Sequence, residues 1–318
     1  MLENEYLRKI IDKKKGKKYD VAVMYTGGKD SSYLIYLLKE VYKLRLIAVT
    51  VDNGYEFPNN IAKMKKYLDN VGVSLVTIKP EKEFFKTLYR ELIVNPQHLS
   101  NGRRNHICHI CNNLIWMNVC KYASDNEIPF IASGLALEQL NSGRVYSLTI
   151  NEQTNGISEK STKVVNKLTM DYLSTNSAFA ADNEYKNLFN YYKDKNKYKV
   201  ETIYPYIYHN VGIEELKKTI IEYGNWTPPI DVAVGDYYTS GCEIMSRVIF
   251  ELEKLELVKL NERDEAKQMI ENGTLDEKGA DFANRIVSSE KVDLSDELFE
   301  ELGVKEYLTD IAKKRNQL

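Results

Sequence analysis

The stretch Val21–Ser32, VAVMYTGGKDSS, constrains the possible fold more than any other part of the chain. Its apolar first residues, Val21–Met24, predict a short buried strand. Apolar residues with the spacing of a helix follow soon afterwards, at Leu34, Ile35, Leu37 and Leu38. Between the two elements lie Gly27 and Gly28, which have no Cβ and let a ligand approach the backbone closely. A strand that enters a helix through two glycines directs backbone N–H groups and the positive helix end at an anion, so this stretch predicts a phosphate-binding turn.

Polar side chains around the glycines add hydrogen-bond donors and a positive charge. Thr26, Ser31 and Ser32 supply hydroxyl groups, and Lys29 supplies an ammonium group on a flexible stem. The spacing excludes two common motifs, because a Walker A loop has four residues between its first glycine and Gly-Lys-Ser/Thr, and a dinucleotide fingerprint has a third glycine. A glycine turn that binds no ligand is the alternative interpretation.

The residues TGGKDSS, at positions 26–32, resemble the PP-loop of the ATP pyrophosphatase superfamily. Members of that superfamily cleave ATP between the α- and β-phosphates, hold pyrophosphate on this loop and transfer AMP to a substrate oxygen. The resemblance implies ATP as substrate, Lys29 and Asp30 as catalytic residues, and Mg²⁺ bound with the help of Asp30. The ATP-binding residues that it implies are Tyr25, Thr26, Gly27, Gly28, Lys29, Asp30, Ser31, Ser32, Asp52 and Gly134.

Strand and helix patterns alternate along the chain after the glycine turn. The predicted strands are Leu46–Val51, Val73–Ile78, Ile128–Gly134 and an edge-like strand over Glu201–Tyr208. This order predicts an α/β fold with a right-handed, doubly wound parallel sheet, of the HUP-like type that the PP-loop resemblance implies. Ligands of such sheets lie beyond the carboxyl ends of the strands, where Asp52 and Gly134 fall. For Asp52, a plain turn at Asp-Asn-Gly is the alternative.

Changes in composition predict the domain boundaries. An N-terminal helix is expected over residues 1–17 and a PP-loop domain over 18–226, with a polar lid or insertion over 141–200 that contains a helix at Met170–Phe189. Thr227-Pro228-Pro229 is typical of a linker. A small helical C-terminal region is expected over residues 227–318.

A Cys-x-x-C pair, Cys108 and Cys111, forms the second informative motif. At a predicted loop-to-helix junction, both thiolates can face one point. Cys120 follows Cys111 by nine residues, so it lies on the opposite side of the predicted helix from Cys111, which indicates a cysteine of the core. The pair is compatible with a zinc site, with a redox or persulfide-carrying pair, and with a coincidence that binds nothing. The residues that could complete a zinc site are His106, His109, His209 and Cys242.

The sequence CHICNNLIW, at positions 108–116, is similar to the C-x-x-C helix start of the tRNA 2-thiolation enzymes within the PP-loop superfamily. The resemblance implies that Cys108, Cys111 and Cys242 hold a [4Fe-4S] cluster with one iron open to sulfide, and that Cys108 and Cys111 take part in catalysis. It implies that sulfur replaces the adenylated oxygen. The chain departs from those enzymes because Cys242 lies further downstream than expected and because an extra zinc-binding module and a basic RNA-binding domain are not recognisable in the sequence.

Two other functions are compatible with the motifs. The glycine turn and the VTVDNG segment resemble the N-acetyl sugar amidotransferases about as well as they resemble the thiolation enzymes. This second resemblance implies that ammonia, supplied by a partner glutaminase subunit, is the nucleophile. A nucleotide-binding sensor without turnover is the third interpretation, and the complete Lys29-Asp30-Ser31 set argues against it.

Composition limits the partners. The 318 residues are 43% hydrophobic and 28% charged, which is ordinary for a globular protein, and no apolar run approaches the roughly 20 residues of a membrane helix. The net charge of −2 supplies no overall field toward nucleic acid or membranes. We expect a cytoplasmic homodimer that modifies a small-molecule or tRNA acceptor, with a sulfur donor protein or a glutaminase as partner.

Overall fold

The computed structural model describes residues 17–96, 106–134, 150–151, 156–157, 169–179, 182–193, 200–207, 209, 211–229, 241–259 and 291–315. The predicted N-terminal helix lies outside the described residues except for its last position, and so does most of the predicted lid. In the described part of the chain, no helix is long and apolar enough to cross a membrane.

Five parallel strands form the central sheet: β1 Val21–Met24, β2 Leu46–Val51, β3 Leu75–Ile78, β4 Phe130–Ala132 and β7 Glu201–Ile203. Their order across the sheet is β3-β2-β1-β4-β7. Val21 of β1 lies opposite Leu46 of β2 on one side and opposite Phe130 of β4 on the other. Because the chain runs outward from β1 to β3 and then returns to the other side of β1, the strand order reverses between β1 and β4. The predicted parallel α/β sheet is confirmed.

Helices connect the strands and follow the sheet. The helices are α1 Lys29–Tyr36, α2 Asn60–Val71, α3 Lys82–Val94, α4 His106–Asp125, α5 Asn183–Lys193, α6 Ile213–Gly224, α7 Phe250–Lys254, α8 Glu297–Glu301 and α9 Lys305–Lys314. A π-helical turn extends α1 over Leu37–Val41, and another precedes α7 over Ile244–Ile249. Residues 169–175 are helical, and 3₁₀ turns cover Ser177–Phe179 and Pro205–Ile207. A short antiparallel pair joins β5 Ile150–Asn151 to β6 Gly156–Ile157. The expected helical C-terminal segment is present in α7–α9.

The chain divides into two compact units. The first contains the described residues within Met1–Asp52, Pro58–Pro80 and Asn112–Thr227. The second contains those within Asn53–Phe57, Glu81–Cys111 and Pro228–Leu318. The second unit therefore includes three separate stretches of sequence, whereas the sequence predicted only a C-terminal region beginning at residue 227.

The core of the first unit lies between the sheet and three helices. Alternate residues of β1 and β2, among them Val21, Val23 and Ala48, pack in one buried cluster with apolar side chains of α1, α2 and α6. The intervening residues Ala22 and Ile47 are buried as well. Both faces of the central strands are thus covered, which explains why these strands are apolar throughout rather than alternating.

The second unit has an apolar core of its own. Its fully buried aromatic residues include Tyr55, Phe84, Phe85, Tyr89 and Phe299. The Tyr55 and Tyr89 rings meet edge to face, with centroids 5.3 Å apart. Burial of a large apolar side chain contributes about 1.5–3 kcal/mol, so these residues stabilise the packing of the three stretches within the unit.

Candidate functional site

The predicted phosphate-binding turn occupies the carboxyl end of β1, in the first unit. Gly27 adopts φ +76°, a left-handed conformation that favours glycine. A Cβ at this position would lie 2.8 Å from Cγ of Met64 and 3.0 Å from Oδ1 of Asn60. Gly28 then has extended backbone and is the N-cap of α1, which begins at Lys29. The sequence thus needs glycine at residue 27 both for its backbone conformation and for its contact with α2.

A network of hydroxyl groups holds the turn closed. The Ser31 hydroxyl donates to the Gly28 carbonyl at 3.1 Å, and its oxygen lies 3.2 Å from the Thr26 hydroxyl and 3.3 Å from the Thr26 nitrogen. Ser32 is buried, and its hydroxyl lies 3.1 Å from that of Tyr25. Burial raises the pKa of Tyr25, which therefore stays neutral at physiological pH. Ser31, Ser32 and Tyr25 thus support the shape of the turn, while Thr26 is exposed at its tip.

Aromatic side chains from later in the chain anchor the same turn. The Trp226 indole N–H donates to the Gly27 carbonyl at 2.9 Å, and the Tyr206 hydroxyl donates to the Asp30 carbonyl at 2.5 Å. The Tyr67 hydroxyl donates to the Ser32 carbonyl at 3.0 Å. These three residues were not predicted from the sequence, because aromatic residues far along the chain carry no motif that relates them to the glycines.

Lys29 and Asp30 supply the charges of the turn. Nζ of Lys29 lies 2.8 Å and 3.0 Å from the two carboxylate oxygens of Asp30. The Lys29 side chain is 14% exposed and that of Asp30 is 36% exposed. A bound phosphate attracts the ammonium group and a cation attracts the carboxylate, so this pair has the charges needed to bind both parts of a metal–nucleotide complex.

The remaining predicted nucleotide contacts lie at the ends of strands. Gly134 follows β4, and a Cβ there would lie 3.4 Å from the Ser31 backbone nitrogen, so the chain passes directly beside the start of α1. Asp52 follows β2, and its carboxylate lies 3.6 Å from Nζ of Lys79. The glycine turn and Gly134 thus flank the point where the strand order reverses, at which open parallel sheets bind their ligands.

The Cys-x-x-C pair lies in the first turns of α4, within the second unit. Cys108 and Cys111 are three residues apart on a helix and therefore share one face. Cys111 is buried, and Cys108 is partly exposed with its Sγ 3.8 Å from Sδ of Met245. Cys120 is buried in the first unit, as expected for a core cysteine.

Backbone pairing brings Cys242 into the second unit beside the pair. Glu56 and Cys242 face each other in an antiparallel bridge. The Phe57 N–H donates to the Gly241 carbonyl at 2.9 Å, and the Glu243 N–H donates to the Tyr55 carbonyl at 2.8 Å. Burial raises the pKa of Cys242, and the neighbouring Glu56, Cys111 and Cys108 raise it further. The three cysteines are thus close enough to interact electrostatically.

Two buried polar residues contact the Cys111 sulfur and were missed by the sequence analysis. The Tyr89 hydroxyl lies 3.0 Å from Sγ, and Nδ2 of Asn53 lies 3.7 Å from it. Burial raises the pKa of Cys111 to about 11, while its hydrogen bonds with Tyr89 and Asn53 lower the pKa. Cys111 is therefore a protonated thiol at neutral pH, and a metal ion that binds there displaces a proton.

The three cysteines supply the type of ligand that iron–sulfur groups use. His106 Nε2 lies 2.9 Å from the Leu92 carbonyl oxygen, and His209 Nε2 lies 3.0 Å from the Tyr33 hydroxyl. Each ring thus uses one nitrogen for a contact within the protein, and the three cysteines lie in the second unit. Among the described residues, no group of three or more Cys, His, Asp or Glu side chains has the geometry of a formed metal site. Metal binding by the three cysteines stays a prediction.

Comparisons with known proteins give likenesses among solved structures. No protein-family profile matches the chain, and no curated protein sequence matches it. Among solved structures, the chain is similar to the U34-tRNA thiolase NcsA from Methanococcus maripaludis with its [4Fe-4S] cluster. The identity is 16%, the TM-score is 0.38, and the match covers 99% of this chain and 82% of that one.

Proposed function

We propose that the protein is an ATP pyrophosphatase of the PP-loop type that adenylates a carbonyl or amide oxygen of its substrate and then replaces that oxygen with sulfur. The nucleotide part of the proposal is supported by a glycine turn that lies at the carboxyl end of the central strand and leads into α1. The sulfur part is supported by the placement of Cys242 beside Cys108 and Cys111 in one unit.

The charges of the turn suit the adenylation step. ATP binds with its β- and γ-phosphates over Thr26–Ser32, and Mg²⁺ would be held with the help of Asp30. The substrate oxygen attacks the α-phosphorus, and pyrophosphate leaves. Lys29 and the backbone N–H groups at the start of α1 stabilise the charge that develops on the leaving group. Because Lys29 is paired with Asp30 in the structure, nucleotide binding would exchange that contact for contacts with phosphate and metal.

The cysteines suit the second step. Cys108, Cys111 and Cys242 would hold the iron–sulfur cluster, which would supply sulfide for the second step. Sulfide attacks the adenylated carbon, and the C–S bond forms as the C–O bond to AMP breaks and AMP leaves. An enzyme that uses ammonia needs no thiols, so three cysteines in one unit favour sulfur over nitrogen as the nucleophile.

The nucleotide part is tested by the products formed from ATP. The purified protein is incubated with ATP, Mg²⁺, sulfide and pools of tRNA or metabolites, and AMP and pyrophosphate are measured. Asp30→Ala abolishes AMP formation and Lys29→Ala lowers it, while Lys43→Ala, a change of an exposed lysine in the loop after the π-helical turn, leaves it unaltered. Release of ADP and inorganic phosphate instead would overturn the proposal.

The sulfur part is tested by anaerobic reconstitution with iron and sulfide. The wild-type protein and Cys120→Ala take up both, because Cys120 lies in the first unit. Cys111→Ser and Cys242→Ser lose iron and sulfide but still bind ATP. Mass spectrometry of the acceptor shows an exchange of oxygen for sulfur. A colourless, metal-free protein that forms AMP only with ammonia is instead an amidotransferase.

A further inference from the structure

Asn53 has a side-chain orientation that the backbone determines. Its Oδ1 accepts the N–H of Tyr55 at 3.0 Å, and this contact identifies the oxygen of the amide because a backbone N–H can only donate. Nδ2 therefore points the other way, toward the Tyr89 hydroxyl at 2.8 Å and the Cys111 sulfur at 3.7 Å. Asn53 is 1% exposed, so water does not compete for these contacts.

The hydrogen bond from Asn53 determines which partner the Tyr89 hydroxyl can donate to. An amide NH₂ group is a donor only, so the phenol oxygen accepts from Asn53 and its own hydrogen is available for Cys111 Sγ, 3.0 Å away. Tyr89 is 1% exposed and its ring is held edge to face against Tyr55. The chain of donors thus runs from the backbone of residue 55 through Asn53 and Tyr89 to the sulfur.

We propose that Asn53 and Tyr89 are positioning residues that donate hydrogen bonds to the Cys111 sulfur and stabilise it as a negatively charged metal ligand, an inference that rests on the proposed function. A buried thiolate without donors is costly, and hydrogen bonds to charged groups contribute more than those between neutral groups. The same segment, Asn53–Phe57, pairs with residues 241–243 and places Cys242. The stretch Asn53–Phe57 thereby positions the Cys242 thiol and supplies a hydrogen-bond donor to the Cys111 thiol.

The first test uses the metal-free protein. Tyr89→Phe keeps the ring and removes the donor, and Asn53→Asp keeps the acceptor for Tyr55 while removing the NH₂ group. The control is Tyr55→Phe, because the Tyr55 hydroxyl is buried in the same core but makes no hydrogen bond to sulfur in the described part of the chain. Raman spectra report the S–H stretching band of Cys111, assigned by difference from Cys111→Ser. The band moves in Tyr89→Phe and not in Tyr55→Phe, and an unmoved band in Tyr89→Phe overturns the inference.

The second test uses the reconstituted, iron-loaded protein. Loss of a hydrogen bond to a ligand sulfur disfavours the more negative, reduced cluster, so the midpoint potential of Tyr89→Phe shifts to a more negative value than that of Tyr55→Phe. Iron is lost to a chelator about tenfold faster, as is typical when a partner of a metal ligand is removed. Equal potentials and equal rates in the two variants overturn the inference. A wild-type protein that takes up no iron overturns the proposed function instead, and the Raman comparison then decides the hydrogen-bond chain by itself.

Discussion

Gly27 and Gly72 both adopt left-handed backbone conformations, but only Gly27 is confined by its neighbours. The φ angles are +76° and +67°, yet a Cβ would lie 2.8 Å from Met64 at residue 27 and would contact nothing within 4 Å at residue 72. Gly72→Ala costs about 1–2 kcal/mol for the backbone conformation alone. Gly27→Ala costs about 1–3 kcal/mol more, because Met64 must move, and it abolishes AMP formation. Urea unfolding and product assays measure the difference. Similar losses of stability and activity in both variants would contradict the assignment of the turn.

Glu40 gives the protein a pH-dependent contribution to stability. The hydrogen bond from Tyr223 at 2.6 Å and the contact with Lys43 at 3.2 Å lower the pKa of Glu40 from 4.5 to about 2. A carboxyl group whose pKa is lower in the folded state stabilises the fold fully above its unfolded value, and this contribution is lost as the pH falls through the folded value. Glu40→Gln should therefore destabilise the protein at a pH well above 4.5, and the difference from wild type should shrink toward pH 2.

Urea unfolding across this pH range measures the contribution of Glu40. The control is Glu222→Gln, which removes an exposed ion pair in which Oε1 of Glu222 lies 3.9 Å from Nζ of Lys218. This change should alter stability by less than about 1 kcal/mol. A difference between wild type and Glu40→Gln that is constant over the range would show that Tyr223 and Lys43 do not stabilise the Glu40 carboxylate.

At the scale of elements, the backbone pairing of residues 55–57 with residues 241–243 positions Cys242 near Cys108 and Cys111. Glu243 has φ −63°, which proline adopts without strain, and Glu243 precedes a helical turn, where proline is tolerated. Glu243→Pro removes the N–H that donates to the Tyr55 carbonyl at 2.8 Å. Iron affinity should fall about tenfold as the third ligand loses its position.

A matched variant separates this backbone effect from the loss of a charge. Glu243 also forms an ion pair with Arg247 at 2.7 Å, which Glu243→Ala removes while it keeps the N–H. Iron titration of both variants should show weaker binding in Glu243→Pro only, with ATP-dependent AMP formation used to confirm that the first unit remains folded. Equal iron affinities would mean that the backbone bridge does not position Cys242.

The elements themselves were predictable where local pattern and packing agree. The apolar run Leu46–Val51 became a strand with the predicted bounds, because both of its faces are buried. The predicted helix Met170–Phe189 is wrong as one element. Helical residues 169–175 are followed by Asn176, whose Oδ1 accepts the Ala178 N–H at 2.9 Å and starts a 3₁₀ turn. A side chain that competes with the helix for backbone donors ended an otherwise helical pattern.

At the scale of the whole molecule, the parts of the site differ in how much the sequence could predict. The phosphate-binding turn is contiguous, so its spacing alone indicates its geometry. The roles of Asn53 and Tyr89 depend on contacts with Cys111, and Asn53 in Asp-Asn-Gly suggests only a turn. Tyr89 suggests only the apolar face of a helix. Their contacts form when two separate stretches, Asn53–Phe57 and Glu81–Cys111, pack in one unit, which no local pattern encodes.

The two units should respond separately to the two kinds of ligand. A ligand that binds only the folded state stabilises the region that holds it, by about 2.7 kcal/mol at a hundredfold excess over its dissociation constant. A non-hydrolysable ATP analogue should therefore slow amide hydrogen exchange mainly within Met1–Asp52, Pro58–Pro80 and Asn112–Thr227. Reconstitution with iron and sulfide should slow it mainly within Asn53–Phe57, Glu81–Cys111 and Pro228–Leu318. Exchange measured by mass spectrometry on the full chain distinguishes the two patterns, with Asp30→Ala and Cys242→Ser as the respective controls. Protection by the nucleotide that falls chiefly in the second group of segments, or by iron chiefly in the first, would contradict the assignment of one ligand to each unit.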